Sequence, residues 1–137
     1  MTRALDVADL RTLLVPLSDQ YRLRLIILFG STVTGRRGPD SDLDLALLAD
    51  APLDLVAVTT DVIRLLHTDH VDVVDLRRVS PLLAMEVARQ GRLVYERQSG
   101  MHVEFISLAT RRYIDTKKLR DAQKDAIHRF LVSKGLA

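Results

Sequence analysis

Residues 28–45 read LFGSTVTGRRGPDSDLDL. An apolar run over residues 23–29 leads into the pair Gly30-Ser31 and predicts a buried strand that ends there. A glycine lets the backbone approach a ligand closely, and a serine hydroxyl and N–H at the start of a helical turn favour phosphate. The end of this strand therefore predicts a phosphate-binding position at Gly30 and Ser31.

Two aspartates stand at the start of a second predicted strand, over residues 42–49. Asp42 and Asp44 share one face of that strand, because side chains alternate between the two faces of a sheet. Their Cα atoms lie about 7 Å apart by strand rise, and carboxylate oxygens at such a spacing suit a pair of hard cations. Two Mg²⁺ ions stabilise the attacking and leaving oxygens of a phosphoryl transfer. The pair predicts a metal-dependent site of that kind.

A third carboxylate is expected from the third predicted strand, over residues 70–76. The alternation of that strand places Asp72 on the face opposite its buried valines. If the second and third strands adjoin, Asp72 joins Asp42 and Asp44. Asp75 has the opposite parity and is the second choice.

The rest of the sequence predicts a small mixed β-sheet with helices packed on it, an α/β (α+β) fold. The predicted helices cover 5–18, 53–67, 81–90 and about 101–131, a fourth strand covers 92–96, and a helical turn or loop covers 31–37 before the turn residues Pro39-Asp40-Ser41. Gly91 is expected to close the third helix in the C′ role. Ser99-Gly100 separates a predicted sheet domain, 1–98, from a helical extension, 99–137.

Composition excludes several classes of function. The chain has 137 residues and no cysteine, which excludes disulfides, thiol nucleophiles and cysteine-ligated metal sites. Three Phe, three Tyr and no Trp are too few aromatic residues for a platform that stacks bases, so direct nucleic-acid binding is not expected. No apolar run approaches the roughly 20 residues of a membrane span, and the N-terminus lacks a signal-peptide core. These features predict a cytoplasmic protein without membrane contact.

Charge is unevenly distributed along the chain. Residues 1–99 carry 12 Arg and 14 acidic residues, whereas residues 100–137 carry 8 basic and 4 acidic residues. The basic tail has the pattern of an amphipathic helix. Its discontinuous apolar stripe consists of Phe105, Leu108, Ile114, Leu119, Ala122, Ala126 and Phe130. It is either a solvated face or a docking surface for a partner, in a homo-oligomer or a hetero-oligomer.

The order Gly30-Ser31, ten residues, then Asp42-Leu43-Asp44 resembles the signature of the nucleotidyltransferase superfamily that includes DNA polymerase beta. The chain length and the downstream stretch VDVVDLRRVSPLLAMEVARQGRLVYE are similar to its smallest branch, the minimal nucleotidyltransferases. Members of that branch are typically MntA-type antitoxins paired with HEPN-domain ribonuclease toxins. The resemblance covers residues 20 to 97, and Tyr113-Ile114-Asp115 resembles part of the helical extension of such antitoxins.

The resemblance implies roles for individual residues. Gly30 and Ser31 would hold the β- and γ-phosphates of ATP, and Arg36 would contact a phosphate, although the family motif does not fix that position. Asp42 and Asp44 would bind two Mg²⁺, with Mn²⁺ as an alternative. Asp72 would bind the catalytic metal and help activate the acceptor hydroxyl. The implied reaction moves AMP from ATP to a tyrosine of the toxin.

Two other functions remain open from the sequence. A small-molecule nucleotidyltransferase, of the kind that modifies aminoglycosides, would use the same site but would need a substrate pocket from another domain or subunit. A non-catalytic antitoxin would mask its partner by contact alone. Replacement of Asp42 and Asp44 by asparagine separates masking from catalysis, because a mask still neutralises its partner without these carboxylates.

Overall fold

The computed structural model describes residues 5–30 and 42–136. In chain order its elements are α1 (Val7–Gln20), β1 (Leu23–Phe29), β2 (Leu43–Ala49), α2 (Leu55–Leu66), β3 (Val71–Asp75), α3 (Pro81–Gln90), β4 (Arg92–Glu96) and α4 (Met101–Ser133). These bounds confirm the four predicted strands and four predicted helices to within about two residues at each end. The predicted turn over 31–37 and the Pro39-Asp40-Ser41 turn lie outside the described residues.

The four described strands form one mixed sheet in the order β3-β2-β1-β4. Strand β1 is antiparallel to β2 and β4, whereas β2 and β3 are parallel. The end of β1 and the starts of β2 and β3 therefore meet at one edge of the sheet. This arrangement confirms the predicted fold class, a small mixed sheet covered by helices.

Each face of the sheet packs against two helices. One face buries alternate strand residues such as Ile26 and Leu45 against α1 and α2. The other buries Leu25, Ile27 and Ala46 against α3 and the first turns of α4. The alternation of β2 places Asp44 on the α3/α4 face, beyond the end of its buried part. No helix of the described residues combines the length and apolar character needed to cross a bilayer.

Gly91 ends α3 in a way that differs from the sequence prediction. Its φ is −69° and its ψ is 148°, so it is extended and does not fill the left-handed C′ role. A Cβ at this position would lie 2.5 Å from Cγ2 of Ile27 and against the carbonyl oxygen of Val87. Glycine is needed here for space between α3 and β1, rather than for a positive φ.

We expect Gly91→Ala to destabilise the fold by about 1–3 kcal/mol, because the added methyl group overpacks the contact with Ile27. Urea unfolding of the variant measures this loss. Gln90→Ala, at the exposed neighbouring position, serves as the control and should change stability by less than about 0.5 kcal/mol. Equal stabilities of the two variants would contradict the steric explanation.

Asp50, the residue after β2, connects the end of that strand with β1 and with the segment that follows β4. Its carboxylate accepts a hydrogen bond from Nε of Arg24 at 2.6 Å and two from the Arg97 guanidinium at 2.8 and 3.0 Å. The hydrogen bonds from Arg97 and then Arg24 hold the pKa of Asp50 well below its usual value. The same contact raises the pKa of Arg97.

Asp50→Asn should lower stability at neutral pH but not in acid. A carboxyl group with a lowered folded-state pKa contributes stability above its unfolded-state pKa, and this contribution is lost as the pH falls toward the folded-state value. The difference in free energy of unfolding between wild type and variant should therefore be constant above about pH 5 and shrink below about pH 4. A pH series of urea unfolding curves measures it, and a difference that persists unchanged to pH 2.5 would refute the linkage.

Candidate active site

Gly30 lies directly against the carboxylate of Asp44. It follows β1 with φ +81°, a left-handed conformation that favours glycine. Phe29 is the register partner of Asp44, which brings the end of β1 beside that side chain. A Cβ built on Gly30 would lie 2.9 Å from Cγ of Asp44 and closer still to Oδ2. The glycine thus leaves the space that the carboxylate occupies.

Asp44 and Asp72 are register partners across the parallel pair β2 and β3. The sequence predicted that these two side chains share a face if the strands adjoin, and the sheet confirms that they adjoin. Burial raises the pKa of Asp44, and the negative charges of Asp72 and Asp42 raise it further. Asp44 is half-buried and Asp72 is exposed. Three carboxylates therefore act on one another electrostatically at this edge of the sheet.

Asp42 stands immediately before β2 with its side chain 59% exposed. Its Oδ1 lies 3.5 Å from Nδ1 of His70, the residue before β3. The N–H of Leu43 donates to the carbonyl oxygen of His70 at 2.7 Å, which ties the starts of the two strands together. His70 therefore borders the carboxylates.

Asp75, the second choice for a third carboxylate, is buried and hydrogen-bonded to the backbone. Its side chain is 2% exposed. Its oxygens accept hydrogen bonds from the N–H of Leu53 at 3.1 Å and of Arg77 at 2.9 Å. With its lone pairs directed at the backbone, Asp75 braces the segments that follow β2 and β3. Of the two candidates, Asp72 alone is placed beside Asp44.

The donor chemistry of this edge fits a hard divalent cation, because every carboxylate offers oxygen and the like charges raise the pKa of Asp44. A bound cation would remove that repulsion. Within residues 5–30 and 42–136, no three His, Asp or Glu side chains are drawn together closely enough to form a ready cluster for a metal. Ser31 and Arg36 lie outside the described residues.

A second concave feature was missed by the sequence reasoning. A cavity of about 270 Å³ lies at the opposite end of β2, between the sheet and α4. Apolar residues such as Leu48, Leu76 and Phe105 line it together with Arg24, Arg77 and Arg112. No local motif marks it, because the lining residues come from separate elements.

Comparison with known proteins identifies the family. The family model described as polymerase beta, nucleotidyltransferase matches residues 14–100. This chain belongs to the polymerase beta nucleotidyltransferase family. The matched range contains Gly30, Asp42, Asp44 and Asp72, so the carboxylate edge described above lies within the nucleotidyltransferase domain.

Relatives of this nucleotidyltransferase include proteins studied as antitoxins. A protein adenylyltransferase MntA from Aphanizomenon flos-aquae (strain 2012/KM1/D3) is 27% identical over 144 residues, which cover 95% of both chains. A toxin–antitoxin crystal structure with AMP-PNP contains a chain that matches with TM-score 0.74 and 28% identity, over 86% of this chain and 98% of that one. A complex of tri-AMPylated Shewanella oneidensis HEPN toxin with MNT antitoxin contains a chain with TM-score 0.67 and 27% identity, over 90% and 99%.

Proposed function

We propose that this nucleotidyltransferase is a protein adenylyltransferase antitoxin that moves AMP from ATP onto a tyrosine hydroxyl of a cognate HEPN ribonuclease toxin and thereby neutralises it. The observation that carries the proposal is the position of the Asp44 side chain. It pairs with Asp72 on the neighbouring strand, and its carboxylate lies against Gly30 at the end of β1. The similarity to a protein adenylyltransferase MntA and to a complex with a tri-AMPylated toxin supports the choice of acceptor. The use of ATP as substrate supports a cytoplasmic location.

Separate residues of the chain contact the phosphates and bind the metal ions. Gly30 makes room for the Asp44 carboxylate, and Gly30, Ser31 and Arg36 contact the phosphates of ATP. Asp42, Asp44 and Asp72 hold two Mg²⁺, or Mn²⁺ in their place, which supply charge neutralisation at the reacting oxygens when bound. Burial raises the pKa of Asp44, and the charges of Asp72 and Asp42 raise it further. A bound cation would offset the repulsion between these carboxylates.

The transfer itself is an in-line displacement. The tyrosine oxygen forms a bond to the α-phosphorus of ATP, and the bond from that phosphorus to the bridging oxygen of the β-phosphate breaks. Pyrophosphate leaves with the bonding electron pair. Asp72, the most exposed of the facing pair, accepts the proton of the tyrosine hydroxyl.

Transfer of labelled ATP tests the reaction type. The partner toxin is incubated with this chain, Mg²⁺ and ATP labelled at either the α- or the γ-phosphorus. The proposal predicts that only α-label enters the toxin, since pyrophosphate carries the γ-phosphorus away. Incorporation of γ-label would instead show a kinase, and labelling of small molecules in place of the toxin would favour the aminoglycoside-type alternative.

Masking by contact is a second candidate, supported by the exposed apolar side chains of α4. Leu119, Ile127 and Phe130 are each between 58% and 59% exposed. A mask needs such a surface but does not need the carboxylates. Full neutralisation by an Asp42→Asn/Asp44→Asn variant that transfers no AMP would select this candidate.

A further inference from the structure

Helix α4 presents one continuous face that is covered only at its start. Residues at spacings of three and four share a side of an α-helix. The residues of this docking face are Phe105, Ala109, Arg112, Thr116, Leu119, Gln123, Ile127 and Phe130. Phe105 and Ala109 are buried against the sheet and α3, whereas the residues from Leu119 onward are exposed.

The docking face emerges from the cavity between the sheet and α4. Phe105, Ala109 and Arg112 line the cavity together with Glu104 of the same helix, Arg24 of β1 and Arg77, which follows β3. From Arg112 to Phe130 the face then extends about 27 Å at 1.5 Å per residue. A helix in water gains most of its stability from packing an apolar face. Among the described residues, none buries the part of the docking face from Leu119 to Phe130.

The charges of the docking face select the kind of partner. Arg112 lies on the face, Arg120 flanks it on one side and Asp115 lies at its other border, while Asp121 and Asp125 fall on the opposite side of the helix. Arg112 has no ion pair among the described residues. Two copies of α4 packed in parallel through this face would bring Arg112 against Arg112 and Arg120 against Arg120, which disfavours that form of self-association. A partner with acidic residues beside an apolar seam is complementary.

We infer that the docking face and the arginine-lined cavity bind an amphipathic helix of the toxin, whose apolar seam packs on Leu119, Ile127 and Phe130 and whose flanking Asp or Glu side chains pair with Arg112 and Arg120. The inference rests on the proposed function for the identity of the partner. Leu48 of β2 lines the cavity, and Asp44 lies four residues before it on the same face of that strand. A toxin held there is tethered on the side of the sheet that carries the carboxylates.

Charge reversal at adjacent positions gives a matched test. Arg112→Glu places a carboxylate on the docking face, whereas Arg111→Glu makes the same change one position along, about 100° around the helix. Titration of the purified toxin should show at least a roughly tenfold weaker Kd for Arg112→Glu and less than about a twofold change for Arg111→Glu. Equal effects of the two variants would overturn the inference.

Removal of apolar area gives an independent second test. Leu119→Ser/Phe130→Ser removes two docking-face side chains, and Ile114→Ser/Val132→Ser removes two of similar exposure, 52% and 51%, from the opposite side. The first pair should raise the KM for toxin in AMP transfer with kcat unchanged, and the second should leave both constants unchanged. Circular dichroism confirms that each variant keeps its helix. A concentration-dependent dimer of wild type that only the first pair abolishes would assign the face to a second copy and overturn the inference.

The same experiments separate this inference from the proposed function. If the toxin binds and only the docking-face variants weaken binding, but the toxin gains no AMP, the docking face stands and the transferase fails. If the toxin gains AMP with unchanged KM in the docking-face variants, the transferase stands and the docking face fails. A wild-type chain that neither binds nor modifies the toxin refutes both.

Discussion

Asp44→Asn should reduce AMP transfer at least about 10³-fold, because metal-assisted charge stabilisation is worth several kcal/mol and each 1.4 kcal/mol is a factor of ten. Asp44 is adjacent to both of the other described residues at the centre of the candidate site. It faces Asp72 across two parallel strands, and Gly30 leaves the space beside it. The amide is almost isosteric with the carboxylate but cannot supply its negative charge. Initial rates of toxin labelling from α-labelled ATP measure the loss.

Stability distinguishes this loss from unfolding. The pKa of Asp44 is raised by burial and by Asp72 and Asp42, so the folded state favours its protonated form. For such a group, stability falls as the pH rises from the unfolded-state pKa through the folded-state pKa. In EDTA at neutral pH the Asn variant should therefore melt at the same or a higher temperature than wild type. A lower Tm, or full activity, would contradict the assigned role, and Asp125→Asn on exposed α4 controls for the substitution itself.

Gly30→Ala should reduce transfer about 10²-fold, the typical effect of misplacing a reacting group by about 1 Å. The new Cβ would collide with the Asp44 carboxylate, and the left-handed φ of +81° adds backbone strain. Either the carboxylate or the end of β1 must shift. The same labelling assay measures the loss, which should fall on kcat because the carboxylates themselves are retained.

Gly100→Ala is the matched control for this substitution. Gly100 also has a positive φ, +98°, but a Cβ there would meet nothing within 4 Å. It should therefore show a backbone cost of about 1 kcal/mol and leave transfer unchanged. Equal losses of activity at the two glycines would show that general destabilisation, and not the contact with Asp44, is responsible.

Local pattern was sufficient to predict the fold and the position of Asp72 beside Asp44. Short apolar runs and their bounding turn residues located all four described strands, because each strand buries at least one face. The alternation within β3 selected Asp72 over Asp75, and the buried hydrogen bonds of Asp75 give that choice its physical reason. The roles of Gly30, Ser31, Arg36 and the three aspartates stay predictions, as does the division of the chain at residue 98.

Features that depend on contacts between distant residues could not be predicted in this way. Gly91 matches the sequence pattern of a helix-closing glycine, yet Ile27 on another strand is the reason that it must be small. The cavity beside α4 combines side chains from the sheet, α3 and α4. The predicted stripe of α4 included Ile114, which helical geometry places opposite the docking face. For this helix the sequence alone contains the spacing of three and four residues that identifies the docking face.

Intact mass spectrometry of the toxin tests the central claim most directly. The partner is co-expressed with wild-type chain or with the Asp42→Asn/Asp44→Asn variant and then weighed. We predict that the toxin gains mass in whole AMP units with wild type only. A toxin that is neutralised but unmodified in the presence of wild-type chain would contradict the claim that this nucleotidyltransferase acts by adenylylation.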